Sequence, residues 1–269
     1  MRTYSAKSTP TTKRRASMFL HGGSGAGKST RSFTGGRPLG IVFEPKAEAQ
    51  ILNYNPNATA WAPESIKDLL DVFQWLGSPK LLEQGFTRIV VDSFTDLTAS
   101  LPEWLVAHNT PDAAGQIARK MEIQEYNDVQ GWALAVVKAV QSTGLPTIII
   151  ARSESVKQGR IERIVPMGLG KSVNKLPGLL LPTVEARIDS ESGFIWDTTP
   201  DEYSQRCGLP WVPHVWNGTA DDFLALVERG PAEEPKTIGD MVAAKRQADK
   251  INPSPVSPAV SDFVDSLTA

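Results

Sequence analysis

The chain has 269 residues, 41% hydrophobic and 22% charged, with a formal net charge of −2. That is ordinary globular composition with room for one sizeable core, and the near-neutral balance excludes a nucleic-acid signature spread over the whole surface. A lone cysteine, Cys207, excludes a disulfide framework or a cysteine metal cluster within the chain, and no apolar run reaches the ~18 residues of a membrane span.

Residues 1–15 carry Arg2, Lys7, Lys13, Arg14 and Arg15 and no acid, among Ser, Thr and Pro. They are expected to form a basic, flexible arm. No signal-peptide core follows them, so a cytoplasmic protein that does not enter a membrane is the expectation.

The apolar run Met18-Phe19-Leu20 then breaks into HGGSGAGKST. Gly22, four residues, Gly27, Lys28 and Ser29 give the complete P-loop spacing. Gly22, Gly23, Gly25 and Gly27, with Ser24 and Ala26 between them, let the backbone wrap closely around phosphate. The turned-in N–H groups and the helix start at Lys28, Ser29 and Thr30 present partial positive charge to an anion. Lys28 is expected to reach the β- and γ-phosphates of ATP, and the Ser29 hydroxyl to ligate Mg²⁺. A short helix from Lys28 to Phe33 is predicted, because Gly35, Gly36 and Pro38 interrupt it.

Residues 39–43, LGIVF, read as a buried strand ending at Glu44, followed by a broken segment punctuated by Pro56 and Pro63. From Glu64 the stripe Ile66, Leu69, Leu70, Phe73 and Leu76 predicts an amphipathic helix. TRIVVD, 87–92, reads as a buried parallel strand whose last carboxylate, Asp92, holds Mg²⁺ or its water. Ser93 stands next, not the Glu with which many ATPases activate water. Glu44, at the end of the neighbouring strand, is the best-placed replacement, with Glu48 as the substitute.

Helices are expected over 97–108 and 114–143, with Trp132 in the core. TIIIA, 147–151, is a further buried strand ending at Arg152, which is placed to sense the γ-phosphate or to stabilise charge. A loop of low periodicity, 155–177, holds Lys157, Arg160, Arg163, Lys171 and Lys175. Strands are predicted at 179–188 and 194–197, and a helix at 221–229. From 231 a Pro-rich linker and disordered tail are expected, with one weak helix at 237–249 and a closing SDFVDSLTA that reads either as a frayed end or as a small motif for docking a protein partner.

HGGSGAGKST, IVVDSFTDL, EIQEYNDVQGW, TIIIARSES and QRCGLPWVPHVW stand in the order found in RecA-like P-loop ATPases. The chain most resembles the shortened, phage-type RecA-like nucleotide-binding proteins, some of which anneal single-stranded DNA, over residues 15–228. The resemblance implies an α/β fold with a mainly parallel sheet and helices on both faces, formed by 16–230. It implies ATP and Mg²⁺ as cofactors, a water-polarising role for Glu44, and single-stranded DNA facing the basic segment 155–177. It also implies a homo-oligomer at work in recombination or annealing in a bacterial or phage-infected cell. Ala151-Arg152 departs from the family's usual His or Gln at the sensor position. Two rival readings share the P-loop: a small-molecule or nucleoside kinase, and a nucleotide-gated assembly or loader protein.

Overall fold

A computed structural model describes residues 15–44, 47–109, 125–159, 161–168, 173–200, 206 and 208–230. The expected arm over 1–14, the helix start at 114–124, Arg160, Lys171 and the tail from 231 lie outside them. The elements are β1 (Ser17–Gly22), α1 (Lys28–Phe33), β2 (Pro38–Val42), α2 (Ala47–Tyr54), β3 (Thr59–Trp61), α3 (Ile66–Leu76), α4 (Lys80–Glu83), β4 (Arg88–Asp92) and α5 (Phe94–Asn109). There follow α6 (Glu125–Ser142), β5 (Thr147–Gln158), β6 (Ile161–Pro166), a 3-10 turn (Val173–Lys175), α7 (Leu176–Leu179), β7 (Thr183–Asp189), β8 (Gly193–Asp197), β9 (Val215–Trp216) and α8 (Ala220–Arg229).

The sheet runs β3-β2-β4-β5-β1-β7-β8-β9, with β6 paired to the far half of β5. The strands from β3 to β7 are mutually parallel, and β8, β9 and β6 add antiparallel pairs. The expected mainly parallel α/β architecture is therefore the observed one. Its central strands are continuous apolar runs because both faces are covered. Alternate residues point to opposite faces. Phe19, Ile89, Val91 and Ile149 join α3, α5 and α6 in one core. Met18, Leu20, Val90, Ile148 and Ile150 join α1, α2 and α8 in the other. Among the described residues no helix is long and apolar enough to cross a membrane.

Four sequence expectations change. The segment after Glu44 is not broken: it holds α2 and β3. Ala47 and Ile51, one helical turn apart, are its buried contacts, and Asn55 just beyond it donates to the Phe33, Gly35 and Gly36 carbonyls. In α3 the buried stripe is Ile66, Leu69, Val72 and Leu76, so Val72 takes the inward place and Leu70 is exposed. β5 does not stop at Ala151, so half of the expected basic loop is a two-stranded ribbon, Ser153↔Pro166 to Gln158↔Ile161. The ribbon forms because Val156, Ile161, Ile164 and Val165 suit strands and Gly159 turns with φ +65°. Finally, the strand expected from Leu179 begins only at Thr183, because α7 takes Leu176–Leu179. Trp132 is half-buried and stacks on Phe73, with ring centroids 6.2 Å apart.

One buried cation fixes the helix that carries the loop after β1. Arg88 is fully buried at the start of β4. Its guanidinium donates to the Ser32 and Thr34 carbonyls at 2.9 and 2.7 Å and pairs with Asp221 at the head of α8. It thus satisfies carbonyls at the end of α1, where a positive charge also complements the negative end of the helix dipole. This anchor ties α1 to β4 and α8.

Candidate functional site

The C-terminal ends of β1, β2 and β4, with β5 at Arg152 partway along it, meet over one open cavity of about 430 Å³. Residues 24–30 form its floor, and Glu44, Asp92, Ser93 and Arg152 form one wall. Gln50, Tyr54 and Phe194 complete the lining.

The loop depends on its glycines in two different ways. Gly25 and Gly27 have φ of +75° and +76°, the left-handed region that a Cβ disfavours. Gly22 meets a different demand: a Cβ there would lie 2.4 Å from the Ala186 carbonyl oxygen of the neighbouring strand. Gly23 has neither constraint, with open space where a Cβ would be. Gly22 and Gly23 also do not line the cavity. Their carbonyls point to Lys28, whose Nζ donates to them at 2.9 and 2.6 Å. The ammonium is thereby held across the loop, and its burial pulls its pKa down while the Asp92 carboxylate opposes that shift.

Asp92 stands at the tip of β4 and is 2% exposed. Burial raises its pKa to about 6, and a hydrogen bond with the Ser29 side chain lowers it in part. Its Oδ2 has no hydrogen-bond partner among the described residues. A buried carboxylate oxygen left open costs free energy unless something completes it. A divalent cation between Asp92 and the Ser29 hydroxyl fits that need, because Mg²⁺ takes hard oxygen donors and few of them from protein. The two residues expected to hold a metal are therefore together.

Glu44 lines the cavity with a half-exposed side chain, whereas Glu48 sits in the first turn of α2 and does not line it. Arg152 is not at a strand end, since β5 continues through it, but its guanidinium reaches the same wall. It pairs with Asp96 and lies 4.0 Å from Glu44.

Asp96 is a residue the sequence reading missed. It stands in the first turn of α5, four residues after Asp92, and its backbone N–H donates to the Ser93 hydroxyl oxygen at 3.2 Å while the Ser93 hydroxyl bonds its carboxylate. Ser93-x-x-Asp96 is a capping-box pattern, a signal present in the sequence. The neighbouring Thr95 hydroxyl accepts from the Arg152 backbone N–H at 2.9 Å and donates to the Met167 carbonyl at 2.7 Å. The head of α5 therefore holds the root of the β5–β6 ribbon. His21 adds a second tie there, its Nδ1 2.9 Å from the Ser153 hydroxyl.

The cations expected to form one basic loop are dispersed. Lys157 stands opposite Glu162 on the ribbon, and Arg163 stands opposite Val156. Successive side chains on a strand alternate, so Lys157 and Arg163 belong to opposite faces of the ribbon. Lys175 is in the 3-10 turn.

Comparison with protein families finds a match to the model described as AAA domain, over residues 14–204. Comparison with curated proteins finds no match. Among solved structures the chain is similar to a KaiC-like protein from the hyperthermophilic archaeon Pyrococcus horikoshii OT3. The two are 11% identical with a TM-score of 0.38, and the match covers 68% of this chain and 76% of that one.

Proposed function

The chain belongs to the AAA domain family, and from that premise we propose that it is a Mg²⁺-dependent ATPase that acts on single-stranded DNA as a homo-oligomer. The observation that carries the reading is the convergence on one cavity of Lys28, Ser29, Asp92 and Glu44, supplied by three strand ends. Lys28 and the loop amides would hold the phosphates, and Ser29 with Asp92 would hold the metal. Mg²⁺ bound there would neutralise charge on the β- and γ-phosphate oxygens. Glu44 would orient a water toward the γ-phosphorus and accept its proton. The bond from that phosphorus to the bridging oxygen breaks, leaving ADP and inorganic phosphate. Arg152 would exchange Asp96 for the charge that develops on the γ-phosphate, a role in which arginines contribute up to about 10³–10⁵ in rate.

The DNA part of the proposal rests on the ribbon. It is exposed, its root is held by Thr95 and Asp96 beside the phosphate end, and it presents Val156 and Ile164 at 42% and 41% exposure. Apolar side chains on such a ribbon offer contact to unpaired bases, and its cations offer contact to the backbone. Turnover measured with and without single-stranded DNA, alongside sizing with and without ATP, tests both parts. The expected result is phosphate release without any added acceptor, increased by the DNA, and an ATP-dependent rise in mass. Phosphate transfer only in the presence of an acceptor would replace this reading with a kinase. ATP-dependent assembly without appreciable turnover would replace it with a loader protein.

A further inference from the structure

The phosphate end of the cavity is accounted for by Lys28, Ser29, Asp92, Glu44 and Arg152, but its opposite wall is not. Phe194 lines the cavity there, at the start of β8, and is 39% exposed. Its ring lies against the loop, so that a Cβ on Gly27 would come 2.6 Å from two ring carbons. Ile188 is directly opposite Phe194 in the antiparallel β7–β8 register and is 64% exposed. Paired residues share a face of the sheet, so the two form an apolar slab beside the loop.

The strand order gives a bound nucleotide its direction. Asp92 and Glu44 follow β4 and β2, on one side of β1, whereas β7 and β8 lie on the other side. A triphosphate whose terminal phosphate and metal face Asp92 and Glu44 extends across the loop toward β7 and β8. Its nucleoside then emerges at Phe194. Tyr54, the other exposed aromatic in the lining, lies at the end of α2, which follows β2 and Glu44. It is therefore on the phosphate side. An exposed aromatic face next to a phosphate site has a natural occupant in a flat heteroaromatic ring, and stacking of this kind does not depend on which base is bound.

We propose that the Phe194 ring, extended by Ile188, is the platform on which the nucleobase stacks, and that it supplies base affinity without selecting the base. This rests on the nucleotide reading above. The test is calorimetric titration of the full chain, with Mg²⁺, by ADP, GDP and inorganic pyrophosphate. Phe194→Ala is expected to weaken ADP and GDP alike, by about 5- to 150-fold, the range of single base–aromatic stacks, and to leave pyrophosphate affinity unchanged. Phe194→Leu, which keeps an apolar side chain against Gly27, is expected to show the same split, and Phe194→Trp to restore nucleotide affinity. Equal weakening of pyrophosphate and nucleotides in both Ala and Leu variants would overturn the platform and make Phe194 a prop for the loop. Unchanged nucleotide affinity would overturn it as well. If the unaltered chain binds none of the three ligands, the nucleotide reading itself fails, and the platform with it.

Discussion

Gly22 and Arg152 are neighbours on adjacent parallel strands, and beyond that register the two strands part company. β1 turns at once into a tight loop closed by two positive-φ glycines, over which Lys28 is bonded back to the Gly22 and Gly23 carbonyls. β5 continues straight out as one half of a ribbon held at its root by Thr95. The loop is shaped by its own residues and stays against the sheet. The ribbon takes its shape from cross-strand pairing and is fixed to the domain through side chains of another element. The first is built for close approach of an anion, and the second for reach.

The largest effect expected from this difference is on the loop. Lys28→Ala removes the ammonium that spans it, and turnover should fall at least about 10²-fold, the loss measured for one charge-stabilising donor at a reacting centre. Far-UV circular dichroism should stay unchanged, because the lost bonds are to carbonyls that face the cavity floor. Undiminished turnover would remove the loop from the chemistry. Gly22→Ala comes next. It sets a Cβ against backbone of β7 that has no rotamer to change, and overpacking of this kind costs about 1–3 kcal/mol. Thermal unfolding measures the loss. An unperturbed melting temperature would show that β1 and β7 are less rigidly joined than the 2.4 Å approach requires.

Thr95→Val tests the root of the ribbon. It keeps the shape of the buried side chain but removes the oxygen that serves both the Arg152 N–H and the Met167 carbonyl. Leaving buried polar groups unmet costs about 1–3 kcal/mol. ATP affinity should survive while stimulation by single-stranded DNA falls. If both fall together, the ribbon and the loop are one unit and the contrast between them fails.

The same contrast explains what was legible beforehand. The loop, Lys28, Ser29 and Asp92 could be read because each depends on residues close in sequence and on a strand pattern that is apolar throughout. Ser93-x-x-Asp96 is equally local, but its pattern signals a helix start and not a place in the cavity wall. The ribbon reads as a loop in the sequence because Lys157, Glu162 and Arg163 interrupt its apolar residues, and only pairing between its two strands makes their alternation meaningful. α2 and β3 are hidden by Pro56 and Pro63, which fall just after each of them without entering either. Phe194 carried no signal at all. Its place in the cavity depends on β7 pairing with β1 and β8 with β7, which no local pattern around it encodes.

The smallest expected effects concern the charges on the ribbon. Lys157 and Glu162 stand opposite each other on one exposed face, so each weakens the field of the other. Replacing either should leave stability within about 0.5 kcal/mol, as for most surface changes. Their effects on DNA should have opposite signs. Lys157→Gln removes a cation, and if that cation contacts a phosphate, the log–log salt dependence of single-strand binding should become shallower by about 0.7. Glu162→Gln removes the opposing anion and should tighten binding at low salt, with the gain disappearing as salt screens the pair. Identical salt dependence in both variants would mean that the strand does not track this face. Its path would then have to follow the face that carries Val156 and Arg163.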